Sequence, residues 1–148
     1  MIWTEIFSVI KGGLHSSDHY QGFLTAKTYI GYHASPFLSI IERQTVYWIF
    51  LEYERWKKEE NAFDLMDLVQ HINSSGKASQ RYYNEMRINY LMIDEVQDLT
   101  PKTLQLLLKI TNERVFFAGD TAQTIAKGVG ARFSDLSTLL STFGTKVV

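Results

Sequence analysis

The sequence contains no cysteine. That excludes a disulfide framework and any thiolate metal site, and it suits a reducing compartment. It also lacks a charge excess. Fifteen basic residues face 16 acidic ones, a net charge of −1, whereas a compact duplex-binding module carries a clear basic surplus. No apolar run approaches the ~20 residues of a membrane span. The opening stretch, MIWTEIFSVIKGG, has Glu5 inside its apolar residues and no basic leader, so it does not read as a secretory signal. The expectation is an intracellular protein of cytoplasm or nucleus. Internal repeats and low-complexity tracts are absent as well.

What remains is the material of a folded domain. The 148 residues are 45% apolar and 14% aromatic, about one domain by length and too apolar for disorder. Residues 2–11 predict a short helix with Ile2, Ile6, Phe7 and Ile10 on one face, stopped by Gly12-Gly13. Residues 14–22 read as a polar loop, and 24–32 as a second helix. Ser35-Pro36 opens the next helical stretch. Over 37–60, Ile40, Ile41, Val46, Tyr47, Phe50, Leu51 and Tyr53 recur at helical spacing, and Lys57-Lys58 complement the helix C-terminus. Residues 62–72 form one more amphipathic helix, with Asp64 placed to cap it. The polar stretch 73–80 is a loop.

After residue 85 the pattern changes. Residues 88–93 read as a buried strand. Residues 100–111 read as a helix with Thr100 as cap and Pro101 at its first position. A second buried strand follows over 114–120, and a last helix over 134–143. Strand, helix, strand at this spacing implies a parallel pair joined by a crossover helix. The expected fold class is α/β, a mainly helical region over 1–85 followed by an α/β core over 86–148.

Both strands end in acids: Asp94-Glu95 after the first and Asp120 after the second. In open parallel sheets ligands bind beyond the carboxyl ends of the strands. Neighbouring strands lie ~5 Å apart, so the two tips can share one site. A hard cation such as Mg²⁺ takes carboxylate oxygens, and a second carboxylate beside it can orient or deprotonate a water. The plain alternative is a pair of acids solvating a strand end. Gln123, in GDTAQT just beyond the second strand, adds a neutral amide able to sense a terminal phosphate or its attacking water.

An apolar strand ending in DEVQD, then ~20 residues of helix, then an apolar strand ending in GDTAQ resembles motifs II and III of UvrD/Rep-type superfamily 1 helicases. FDLMDLV, residues 63–69, is similar to the Phe-Asp-x-x-Asp-Leu stretch those proteins carry before motif II. IWTEIFSVIKGG and YERWKKEENAFDLMDLVQHI resemble the UvrD-like segment of large TPR- and ankyrin-repeat-containing proteins. The resemblance implies a partial RecA-like P-loop NTPase core that binds ATP with Mg²⁺. It further implies that Asp94 holds the metal and Glu95 the hydrolytic water. Gln123 would contact the γ-phosphate, with Asp120 and Gln97 as supporting polar residues near the same nucleotide edge. The helical first half would be an insertion within the first RecA-like domain, and nucleic acid would be the track of the complete motor.

Two features depart from that pattern. The phosphate loop Gly-x-x-x-x-Gly-Lys-Ser/Thr is missing, and Gly76-Lys77 is followed by Ala78. The chain thus reads as the interior of a longer ATPase or a decayed copy of one, inactive alone. The stretch after GDTAQT is IAKGVGARF, without the base-stacking aromatics of DNA-translocating members. Two other readings stay open: a non-catalytic interaction module of a large repeat protein, and a two-metal nuclease using Asp94, Glu95 and Asp120.

Other groupings invite blander readings. His15 and His19 flank Asp18 without a fourth ligand. Asp64 and Asp67 suit capping and solvation. Trp48, Tyr53 and Trp56 suit core or inter-helix packing, and His33 and His71 show no partner in the sequence.

Overall fold

A computed structural model describes residues 2–31, 38–74, 83–85, 87–119, 137–139 and 141. The first helix spans the predicted residues but changes winding. A single α-turn, α1 (Ile2–Thr4), continues as a π-helix over Glu5–Lys11. The π-helical stretch turns Ile6 and Ile10 inward together with Glu5, Ser8 and Lys11. Gly12 closes it, where an added Cβ would lie 2.6 Å from the Phe7 carbonyl oxygen and 2.8 Å from Thr100. A 3₁₀ turn, Leu14–Asp18, and α2 (Ala26–Gly31) follow.

The long helix α3 is Ile40–Glu59. Ser39 accepts from the Glu42 N–H and Glu42 returns the bond to the Ser39 backbone, a complete capping box. At the other end Asn61 takes a left-handed φ of 51°, and Ala62 N–H reaches Lys57 O at 2.8 Å. Val46, Tyr47 and Phe50 pack against Ile6, Ile10, Leu24, Tyr29 and Leu38 as one core. The other predicted core positions differ. Ile40, Ile41 and Leu51 are exposed, as are Trp48 and Trp56, and only Tyr53 is half-buried. The reason is geometric: α1, its π-helical continuation and α2 cover a single face of α3, and the apolar residues spread round more of the cylinder than that face.

Helix α4 is Leu65–Ser74. The parallel pair is as expected: β1 (Ile88–Ile93) and β2 (Thr111–Phe117) run side by side, with Leu91 opposite Val115 and Ile93 opposite Phe117. The crossover helix α5 (Pro101–Lys109) has Thr100 as its side-chain cap and Pro101 in its first turn. Leu104 and Leu108 of α5 pack with Ile93, Val96 and Leu139 in a second core, joined by Leu91, Val115 and Phe117.

The strands are not the buried strands anticipated. Side chains alternate along a strand, so Tyr90, Met92 and Phe116 point away from α5, and Met92 is 81% exposed. A parallel strand is buried only when both faces are covered, and among the described residues α5 and Leu139 cover one. The second strand also starts earlier, at Thr111, and ends at Phe117. Of the predicted last helix, 137–139 and 141 are helical; the rest lies outside the described residues.

Candidate nucleotide site at the strand ends

The acids of β1 stand where the sheet ends. Beyond Ile93 the chain turns sharply: Glu95 takes φ 49°, ψ 42°, a left-handed conformation for a residue with a side chain. Such a backbone costs on the order of 1–3 kcal/mol and clusters at functional sites. The turn is clamped to the end of β2. Ala118 N–H donates to Ile93 O at 2.8 Å, and Val96 N–H donates to Ala118 O at 3.0 Å. Asp94 Oδ1 accepts the Glu95 N–H at 2.9 Å. Both carboxylates remain exposed, so they offer oxygen ligands of the kind a hard divalent cation takes.

Gln97 lies under this turn, 1% exposed. Its Nε2 donates to Glu95 Oε2. Gly119, next after Ala118, abuts the same side chain. Asp120 and Gln123 lie outside the described residues.

The groups that sequence spacing hid are basic. Lys11 Nζ sits 2.9 Å from Glu54 Oε1, 2.6 Å from Asp64 Oδ2 and 2.5 Å from Asp67 Oδ1. Lys57 Nζ meets the same three carboxylates at 2.8, 3.0 and 2.5 Å. Tyr53 donates its hydroxyl to Asp64 Oδ2. Asp64 does cap α4, accepting from Met66 and Asp67 N–H. It is not a solvated cap, however. Burial opposes its ionisation, but hydrogen bonds from Lys11 and Lys57 overcome this and hold its carboxyl down to about 2. Likewise Lys57 does not serve a helix end in water. It is buried, and bonds to Asp67 and Glu54 outweigh that burial and keep its ammonium charged. Glu54, Asp64 and Asp67 lie close enough together to hold a metal ion, yet the two lysines already sit among them. The only hint in the sequence was the Glu54–Lys57 and Asp64–Asp67 spacing of three; Lys11 is too distant in the chain to have been paired.

Lys102, in the first turn of α5, is fully buried. Its Nζ donates to Lys11 O at 3.2 Å and Gly22 O at 2.5 Å. Burial, then the nearby charge of Lys11, push it down to about 8. Its backbone N–H bonds Gly12 O at 3.0 Å, and Thr100 Oγ1 contacts Met66 Sδ at 3.5 Å. The segment after the acidic turn is thereby tied to the N-terminal helix and to α4. His15 Nδ1 lies 3.1 Å from Asp18 Oδ2 on the surface.

The chain thus carries paired acids on a parallel strand end, followed by a crossover helix. The chain belongs to the UvrD/REP helicase N-terminal domain family, whose sequence model matches residues 31–143. It is similar to TPR and ankyrin repeat-containing protein 1 of Homo sapiens, with 36% identity over 143 residues. That alignment takes in 94% of this chain but 5% of the relative. No solved structure matches it significantly. Among the described residues, no helix is long and apolar enough to cross a membrane.

Proposed function

We propose that these residues form part of the ATP-binding half of a UvrD-type motor. In this reading 86–148 belong to a RecA-like core and 1–85 to the helical insertion within it. The observation that carries the reading is the placement of Asp94 and Glu95. They stand adjacent and exposed at the carboxyl end of β1, on a strained turn locked to the end of β2, in a chain of this family. Asp94 offers the ligand oxygen for Mg²⁺, and Glu95 orients a water and accepts its proton. Gln123 and Asp120 contribute from the segment after β2. Asp94 would hold the Mg²⁺, which would supply neutralisation of the charge on the transferring phosphoryl group. The phosphate loop, which these 148 residues lack, is assigned to sequence outside them. Nucleic acid is the motor's track in this proposal, though a net charge of −1 leaves little electrostatic grip here.

The second reading, a non-catalytic packing module, draws support from the relative's being a repeat-containing protein of which this region is 5%. One experiment separates the two. In the complete polypeptide, nucleotide affinity and turnover are measured for Glu95→Gln, Asp94→Ala and Gln123→Ala. A motor retains ATP binding in Glu95→Gln but loses ~10²–10⁴ in rate. Asp94→Ala loses Mg²⁺-dependent affinity, and Gln123→Ala loses turnover more than binding. Unchanged turnover in all three leaves the packing module. Purified alone, the 148 residues are expected not to turn over ATP.

A further inference from the structure

Gln97 is a polar side chain fully buried beneath the acidic turn, and nothing about a solvated strand end requires it there. A buried amide must have its hydrogen-bonding groups satisfied. Its Nε2 reaches Glu95 Oε2, two residues back across the left-handed turn. Its Oε1 lies against the Cα of Gly119: a Cβ there would come within 2.5 Å of that oxygen and 2.8 Å of Val96 Cγ1. The glycine before Asp120 is therefore not spare. It leaves the space in which the amide lies flat under the turn.

We infer that Gln97 is a positioning residue: its amide aims the Glu95 carboxylate, and Gly119 makes the room that lets it do so. The catalytic part of this inference rests on the ATPase reading; the structural part does not. An exposed carboxylate on a free side chain samples several rotamers. A buried donor on one carboxylate oxygen restricts that sampling. In this role Gln97 acts on the reaction through Glu95, to which its amide donates. The two-residue spacing in Glu-Val-Gln follows from this geometry, since the left-handed turn folds the side chain of Gln97 back under that of Glu95.

Two measurements test it independently. In the ¹⁵N-labelled 148-residue chain, the Gln97 side-chain amide should resonate away from solvated glutamine and exchange slowly with solvent. Glu95→Ala should return it to the solvated position. An amide unchanged by Glu95→Ala, or already solvated in the parent, overturns the contact. In the complete polypeptide, Gln97→Met keeps the volume and removes the donor. It should lower kcat about tenfold or more with KM for ATP little changed, as misaimed catalytic groups do. Gly119→Ala should reproduce that loss, and the double variant should be no worse than either single one. Additive losses, or a loss confined to KM, overturn the positioning role. If Glu95→Gln leaves turnover unchanged while the amide still responds to Glu95→Ala, the ATPase reading has failed and the contact stands.

Discussion

Lys102 is the residue whose removal should be most informative about stability. It is fully buried and donates to two backbone carbonyl oxygens, with no carboxylate on its ammonium among the described residues. Burial lowers it from 10.5 to about 8. The sign follows directly. Between those values the unfolded chain binds a proton that the folded chain does not, so stability rises with pH. It is highest above 10.5 and falls as pH drops toward 8. At 1.36 kcal/mol per unit the whole effect is about 3 kcal/mol, and about 2 kcal/mol of it should appear between pH 8 and 10. Above pH 10, Tyr53, pushed to about 12 by burial and its bond to Asp64, acts in the opposite sense, so the window ends there. Lys109, also lowered by burial, adds to the slope in both proteins and cancels in a comparison. The perturbation is Lys102→Met, which keeps the stem and removes the ammonium. Near pH 7 relief from the buried charge offsets two carbonyls left without a donor, each of which costs ~1–3 kcal/mol. The net change there should be small. The assay is urea unfolding at half-unit steps from pH 7 to 10. The parent should gain stability across the window relative to the variant. Parallel curves would refute the buried, depressed lysine.

Three further outcomes are expected. Asp64→Ala leaves Lys11 and Lys57 with fewer partners and should cost about 3 kcal/mol at pH 7. Because the Asp64 carboxyl is held down to about 2, its contribution is complete above pH ~4 and is lost as pH falls toward 2. Unfolding of parent and variant should therefore converge in acid, and curves that stay apart at pH 2 would count against the ion network. Ser39→Ala breaks the capping box of α3 and should cost about 1 kcal/mol in thermal unfolding; an unchanged midpoint would show the cap idle. Leu104→Ala empties a fully buried position between α5 and the sheet and should cost about 3 kcal/mol, while a loss under 1 kcal/mol would mean that this core collapses to fill the space.

Element order was legible in the sequence because local chemistry dictates it. Thr100-Pro101 starts a helix by cap and fixed φ, and Asp64 starts another. The acids at Asp94-Glu95 were legible for the same reason: a strand rich in apolar residues that stops at two carboxylates puts them at a sheet edge whatever packs around it. What the tertiary structure decided is everything that depends on residues far apart in the chain. Lys11 meets Asp64 and Asp67 more than fifty positions away, and Lys102 meets Lys11 at a separation of 91. No spacing rule reaches that far, since the partners share no helix face or strand register. Burial was misjudged for Ile40, Ile41, Leu51, Tyr90 and Met92 because hydrophobicity states what a side chain favours, while only the placement of neighbouring elements states which faces are covered. Gln97 shows the two levels meeting. The sequence set it two residues after Glu95. The left-handed turn and the missing Cβ of Gly119, brought alongside by the pairing of β1 with β2, turned it inward beneath that carboxylate.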